Sequence, residues 1–300
     1  MVAQKNENCG DILLADDGSE HAQAARMLLE ELPLGAGCHI TVLRAFSPAQ
    51  AADLAPLEAA INQTCTLLTD KGRDARPELL LGSPAETMVG YAERRHADLI
   101  VVGAQGLRAT FGILLGGVAQ QVVEYATCPV LVVRAPYRSL QHILLVTDGS
   151  ASSKQAGQFL GRFPLPEGVR VEVMHVLPPP PLQAILPDPS YGGVQLATAE
   201  QLVEMEALMR AREEKEGQAL LDDAVRSLRA LQVPGLAASG VMRRGDAATE
   251  IIKYVKEEAV QLIVTGSRGL SQMRAWLMGS VSRKLVHYSG CSVLVVRRKG

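Results

Sequence analysis

Apolar runs in this chain, such as Ile143 to Val146 and Val293 to Val296, are strand-sized and fall far below the ~20 residues that a membrane-spanning helix requires. The amino-terminal stretch is polar before Ile12 and has no basic segment followed by an apolar one, so no secretory leader is expected and the cytoplasm is the expected location. A surplus of positive charge is also missing. Thirty Lys and Arg against 32 Asp and Glu leave a formal charge of -2, which provides no broad basic face for nucleic acid. Neither a membrane nor nucleic acid is therefore an expected partner. The cysteines are five (Cys9, Cys38, Cys65, Cys128 and Cys291), scattered, odd in number and without a CxxC pair. That excludes a disulfide framework or a zinc site and leaves reduced thiols as the expectation. Gly-x-Ser-x-Gly, HExxH and any other pairing of a nucleophile with a base are absent as well, so the chain is not expected to be an enzyme.

What the sequence does contain is a repeat. With 300 residues, 47% hydrophobic and 21% charged, it has the composition of two globular domains. Ile12 to Ser19 (ILLADDGS) matches Ile143 to Ser150 (ILLVTDGS), which places Asp17 opposite Asp148 at an offset of 131. Asp98 to Gly106 matches Gln261 to Gly269, and Cys128 to Arg134 matches Cys291 to Arg297, both at an offset of 163. The second copy thus carries 32 additional residues between its second strand and Gly245, the counterpart of Gly82. The expected domains are 8–135 and 139–298, with the insertion around 177–200. Its proline run, Pro178 to Pro181, forbids helix and predicts a loop or flap reaching Gly193. Beyond it Leu202, Met205, Leu208, Met209, Leu220, Ala224, Leu228 and Leu231 recur at three- and four-residue spacings, which predicts a long amphipathic helix packed on the core.

Each copy alternates short apolar runs with helical stretches; in the first, strands are expected at Ile12 to Ala15, Ile40 to Ala45, Glu78 to Leu81, Leu99 to Val102 and Val130 to Val133. This order implies right-handed crossovers and a parallel sheet covered on both faces. The fold class expected is therefore α/β, two tandem doubly wound Rossmann-like domains. In such sheets the ligand crevice lies beyond the carboxyl ends of the strands, where strand order reverses.

Leu262 to Thr265 runs into Gly266-Ser-Arg-Gly269, and Gly279-Ser280 then opens a helix. Glycines permit close backbone approach and a helix amino terminus offers free N–H groups, the two requirements of a phosphate chain. Ser280 is expected to cap the helix and offer its hydroxyl, with Ser282 on the same rim, while Arg268 and Arg274 can pair with phosphates bidentately. The loop is not a P-loop, which needs Gly-Lys-Ser or Gly-Lys-Thr, nor a dinucleotide fingerprint placed after the first strand. Asp148 in Asp-Gly-Ser also suits a turn that starts the following helix.

Gly266-x2-Gly269-x9-Gly279-Ser280, the strand ending Val146-Thr147-Asp148-Gly149-Ser150 and the terminal strand Val293 to Val296 resemble the nucleotide-binding pattern of the universal stress protein family, in tandem form over nearly the whole chain. The resemblance implies that ATP is the ligand, with magnesium as its companion ion. It places Asp148 on the ribose hydroxyls, Val146, Thr147 and Val176 around the base, and Thr265 beside the glycine loop. Gly266, Arg268, Gly269, Gly279, Ser280, Val281 and Ser282 then surround the phosphates. The weaker counterparts in copy one are Ala15, Asp16, Asp17, Gly103, Gly106, Gly116 and Gly117; there Gly117 and Ala119 replace both serines, and Arg44 and Ala45 stand where copy two has His175 and Val176. Nucleotide is accordingly expected mainly in copy two, with hydrolysis slow at most. The family likeness further implies that the last strands pair edge to edge, so that the copies form an internal pseudo-dimer, with a homodimer and an unidentified protein as further partners. The competing reading is an assembly module with degenerate nucleotide sites.

Overall fold

A computed structural model of the chain describes residues 10–107, 115–179, 199–230, 237–270 and 278–297. The first copy runs β1 (Asp11–Ala15), α1 (Glu20–Glu31), β2 (His39–Phe46), α2 (Ala55–Asp70), β3 (Asp74–Leu81), α3 (Pro84–Arg95), β4 (Leu99–Gly103), α4 (Gly117–Tyr125) and β5 (Val130–Val133). The second repeats it as β6 (His142–Val146), α5 (Ala151–Leu160), β7 (Arg170–Leu177), α6 (Ala199–Ala230), β8 (Ala237–Arg244), α7 (Ala247–Glu257), β9 (Leu262–Gly266), α8 (Ser280–Tyr288) and β10 (Ser292–Val296).

All ten strands form one sheet in the order β3-β2-β1-β4-β5-β10-β9-β6-β7-β8. Pairs within a copy are parallel, whereas β5 and β10 meet antiparallel, with Leu131 opposite Leu294. The two copies therefore join through their last strands, as the internal pseudo-dimer requires. Strand order reverses between β1 and β4 and again between β6 and β9, which marks one crevice per copy.

Alternation along each strand explains why both faces are covered. Ile12 and Leu14 point into a layer with α1, α2, α5 and α6, while Leu13 and Ala15 point into the opposite layer with α3, α4, α7 and α8. Both layers run through both copies, so each copy covers part of the other's core edge. Each fully buried Leu or Ile contributes about 1.5–3 kcal/mol relative to exposure. Cys128 and Cys291 are buried like small hydrophobes, and burial pushes the Cys291 thiol up to about 12.

Two expectations are corrected. The third strand begins at Asp74, before Pro77, because β3 is an edge strand on which a missing N–H costs no ladder bond. The helical stripe after the insertion is core only in its second half. Leu221 and Leu228 of α6 are buried like Ile61 and Leu68 of α2, at the same spacing, but Met205, Leu208 and Met209 are exposed. A helix of 32 residues stands where copy one has 16, and most of the described side chains of its first half are exposed. The flap beyond residue 179, Arg274, and the side chains of Leu202 and Leu231 lie outside the described residues.

Candidate functional site

The turn after β6 is built by short-range hydrogen bonds. Asp148 Oδ1 accepts from the Ser150 N–H at 3.0 Å, and Ser150 Oγ accepts from the Ser153 N–H at 3.2 Å, which caps α5. Gly149 has φ of +79°, a conformation that favours glycine, and a Cβ there would stand 2.6 Å from Leu220 of α6. The long helix therefore buttresses this turn. Thr147 Oγ1 accepts from the Gly149 N–H at 3.2 Å, and its carbonyl accepts from His175 Nδ1 at 2.9 Å.

Opposite this turn, β9 delivers the glycine loop. Gly266 does not owe its lack of a side chain to a ligand: a Cβ would fall 2.6 Å from the Ser152 carbonyl carbon, so the glycine lets α5 cross β9 closely. Gly103 does the same for α1, at 2.8 Å from His21 backbone. Gly269 leaves room for Asp148, whose Oδ2 would meet a Cβ at 2.7 Å. Gly279 rests against the loop, its N–H donating to the Ser267 carbonyl at 2.8 Å.

The helix cap differs from expectation. Gly279, not Ser280, is the N-cap of α8 and makes no side-chain cap bond, so Ser280 is the first helical residue and its exposed hydroxyl is left at the rim. Ser282 is also reassigned. It is buried and its hydroxyl donates to the Gly266 carbonyl at 2.7 Å, tying α8 to β9 instead of pointing at the rim. Thr265 donates to the same carbonyl at 3.2 Å.

These pieces enclose a hollow of about 220 Å³ at the carboxyl ends of β6, β7 and β9. Val146, Thr147, Asp148, Val176 and Thr265 line it together with Gly266, Arg268, Gly269, Gly279, Ser280, Val281 and Ser282. The structure thus gathers in one place every copy-two residue that the resemblance assigned to the nucleotide; Arg274 lies outside the described residues. Ser153, Ala247, Ile251 and Leu270 complete the lining and were not anticipated. For Ala247 and Ile251 a signal existed: they lie one turn apart at the start of the helix after Gly245, at the mouth of the third crossover.

The hollow of copy one, about 200 Å³, is lined by Ala15, Asp17, Gly103, Gly106, Gly116 and Gly117, with Pro84 and Met88 at the positions of Ala247 and Ile251. Asp16 is absent from its lining and is corrected here. It is buried beneath the turn, where it accepts from Arg44 Nη2 at 3.2 Å, Gly18 N–H at 2.8 Å and Thr64 Oγ1 at 2.7 Å. Asp17 is held at both oxygens, by the Ser19 N–H and by the Leu107 N–H of the glycine loop, each at 3.0 Å. Asp148 Oδ2 has no hydrogen-bond partner among the described residues. Val102, Gly117 and Ala119 replace Thr265, Ser280 and Ser282, so all three hydroxyls are missing from copy one.

The model of the universal stress protein family matches residues 10–134 and again 139–297. A universal stress protein of Thermus aquaticus is 36% identical over 133 residues, 41% of this chain and 97% of that protein. One from Mycobacterium tuberculosis is 25% identical over 234 residues, 76% of this chain and 71% of the relative. Among solved structures, a universal stress protein from Archaeoglobus fulgidus superposes with a TM-score of 0.63 at 18% identity, covering 99% of this chain and all of that one. Matched twice along its length and folded as two such domains in one sheet, the chain belongs to the universal stress protein family.

Proposed function

We propose that this chain is an adenine-nucleotide-binding stress-response and signalling protein that holds ATP in the copy-two hollow. The observation that carries the reading is the meeting, at one strand-order reversal, of an apolar wall, a carboxylate with one oxygen that has no partner among the described residues, and a glycine loop ending in a helix amino terminus. Val146, Val176, Ala247 and Ile251 give a purine a non-polar slot. Asp148 Oδ2 accepts from the ribose hydroxyls. The N–H groups at the start of α8, with Ser280 and Arg268, receive the phosphates.

Turnover is not part of the proposal. Among the described residues, Asp148 and Arg268 are the ionisable ones of the lining, and one Asp148 oxygen is already committed to Ser150. Activating a water against a terminal phosphate needs a positioned base, and a sensor needs only occupancy. Magnesium, in this reading, arrives coordinated by the phosphates. No helix of the described residues is long and apolar enough to cross a membrane, and the cytoplasm is the proposed location.

Calorimetric titration of the full chain with ATP, followed by analysis of the recovered nucleotide, tests this. One intact ATP per chain, weakened about tenfold or more in Gly279→Ala/Ser280→Ala without loss of thermal stability, is the expected result. Rapid conversion to ADP would overturn the binding role. The β5–β10 pairing favours a second reading, an assembly module with degenerate sites, because it already joins two domains into one sheet. That reading predicts no heat with any adenine nucleotide. It also requires any homodimer to use another face, since both terminal strands are paired internally.

A further inference from the structure

The two copies exchange arginines across their shared strand pair. Arg134 directly follows β5, next to Val133, which pairs with Gly103 at the root of the copy-one glycine loop. Its side chain reaches into the other copy. Nη2 donates to the carbonyls of Val286 at 2.7 Å and His287 at 3.5 Å, and Nε donates to the carbonyl of Cys291 at 3.2 Å. Val286 and His287 belong to the last turn of α8, the helix whose first residues line the copy-two hollow.

Arg297 repeats the arrangement in reverse. It follows Val296, which pairs with Gly266, and its Nη2 donates to the carbonyls of Val123 at 2.6 Å and Glu124 at 2.9 Å, in the last turn of α4. Each glycine-loop root is also tied by its main chain to the strand end before its own copy's arginine: the Ala104 N–H donates to the Val133 carbonyl at 2.8 Å, and the Ser267 N–H to the Val296 carbonyl at 2.9 Å.

Helix-terminal carbonyls lack intrahelical donors and form the negative end of the macrodipole, so a cation placed there satisfies them and fixes the position of the helix whose amino end faces the hollow. Neither helix supplies a firm cation itself. The last turn of α4 has no basic residue, and that of α8 has only His287, whose burial, with Arg283 and Arg134 nearby, pulls it below the ordinary imidazole range. The charge comes from the opposite copy in both cases.

We infer that Arg134 is a positioning residue for phosphate binding in the copy-two hollow, and that the exchanged arginines make the anion affinity of each hollow depend on the other copy. The inference rests on the nucleotide reading above. Arg134 lies outside the lining of the copy-two hollow and acts on a ligand there only through α8.

The experiment measures ATP and adenosine affinities of the full chain for wild type, Arg134→Met and Arg134→Lys. Expected for Arg134→Met is about tenfold weaker ATP binding with adenosine changed less than twofold, and for Arg134→Lys, which keeps the charge but not the fork, about threefold weaker ATP binding. Equal losses for ATP and adenosine, or no loss, overturn the inference while the nucleotide reading stands. Absence of ATP binding by wild type overturns both. Where Arg134→Met does not fold, the ATP-to-adenosine ratio of Arg134→Lys decides alone.

Discussion

Two turns of identical sequence, Asp-Gly-Ser, end the first strand of each copy, and their carboxylates have different duties. Asp17 holds its own turn with one oxygen and the glycine loop with the other, through Leu107. Asp148 holds its turn with one oxygen and presents the second to the hollow. Below the turns, copy one has a buried Asp16–Arg44 pair where copy two has Thr147 and His175. The comparison teaches that one backbone supports two hollows of similar volume, one whose carboxylate is satisfied internally and one whose second carboxylate oxygen has no partner among the described residues, and that a few polar substitutions decide between them. An ion pair at that depth is retained with little net stability, since desolvation offsets its attraction.

The comparison is challenged most strongly where the copies should not differ. Gly266→Ala and Gly103→Ala each push a Cβ into helix backbone at under 3 Å. Each is expected to destabilise the chain by about 3 kcal/mol, measured by denaturant unfolding. A Gly266→Ala protein of normal stability that has lost only its ligand would show that this glycine serves the phosphates after all.

A smaller effect is expected where copy two is alone. Glu172 on β7 receives bonds from Tyr254 at 2.6 Å and Ser239 at 3.3 Å, and pairs with His142 at 2.9 Å and Arg170 at 3.0 Å; copy one has Thr41 at this position. Burial pushes the Glu172 carboxyl up, but the bonds from Tyr254, Arg170 and His142 more than offset it and leave it below the ordinary range. A depressed folded-state pKa stabilises above the unfolded value near 4.3 and ceases to do so as pH falls through the folded value. Glu172→Gln should therefore cost about 2 kcal/mol at neutral pH and flatten the acid limb of the stability profile below about pH 4. An unchanged acid limb would remove the network from the account.

The smallest effect is a gain. A Cβ at Gly117 meets nothing within 4 Å, so Gly117→Ser combined with Ala119→Ser restores two copy-two hydroxyls to copy one. Calorimetry should show ATP affinity in copy one rising by about 1 kcal/mol, roughly fivefold. No gain would assign the difference between the crevices to Asp17 and Arg44 rather than to the serines.

Much of this site was legible because it sits where strands end. The repeat, the two-layer sheet and the copy-two lining follow from apolar alternation and from glycines and hydroxyls at strand carboxyl ends, both local patterns. Other features were not legible, for a common reason. The stripe of Met205, Leu208 and Met209 looks like core, since periodicity records an apolar face and not whether anything covers it. Ser280 and Ser282 look equivalent, but α8 starts one residue earlier than a capping Ser280 needs, and Ser282 then turns inward to Gly266.

By itself the sequence determined that there are two α/β domains, where each turns, and which copy keeps hydroxyl-bearing residues at its glycine loop. The tertiary structure alone decided that Gly266 and Gly103 serve helix packing, that Asp17 is held at both oxygens while Asp148 is held at one among the described residues, and that each copy's arginine caps the other's helix. Such contacts join residues more than 80 positions apart for Asp17 and Leu107, and more than 150 for Arg134 and Val286. Local patterns carry no information about them, because they arise only when the sheet sets strand ends and helix ends side by side.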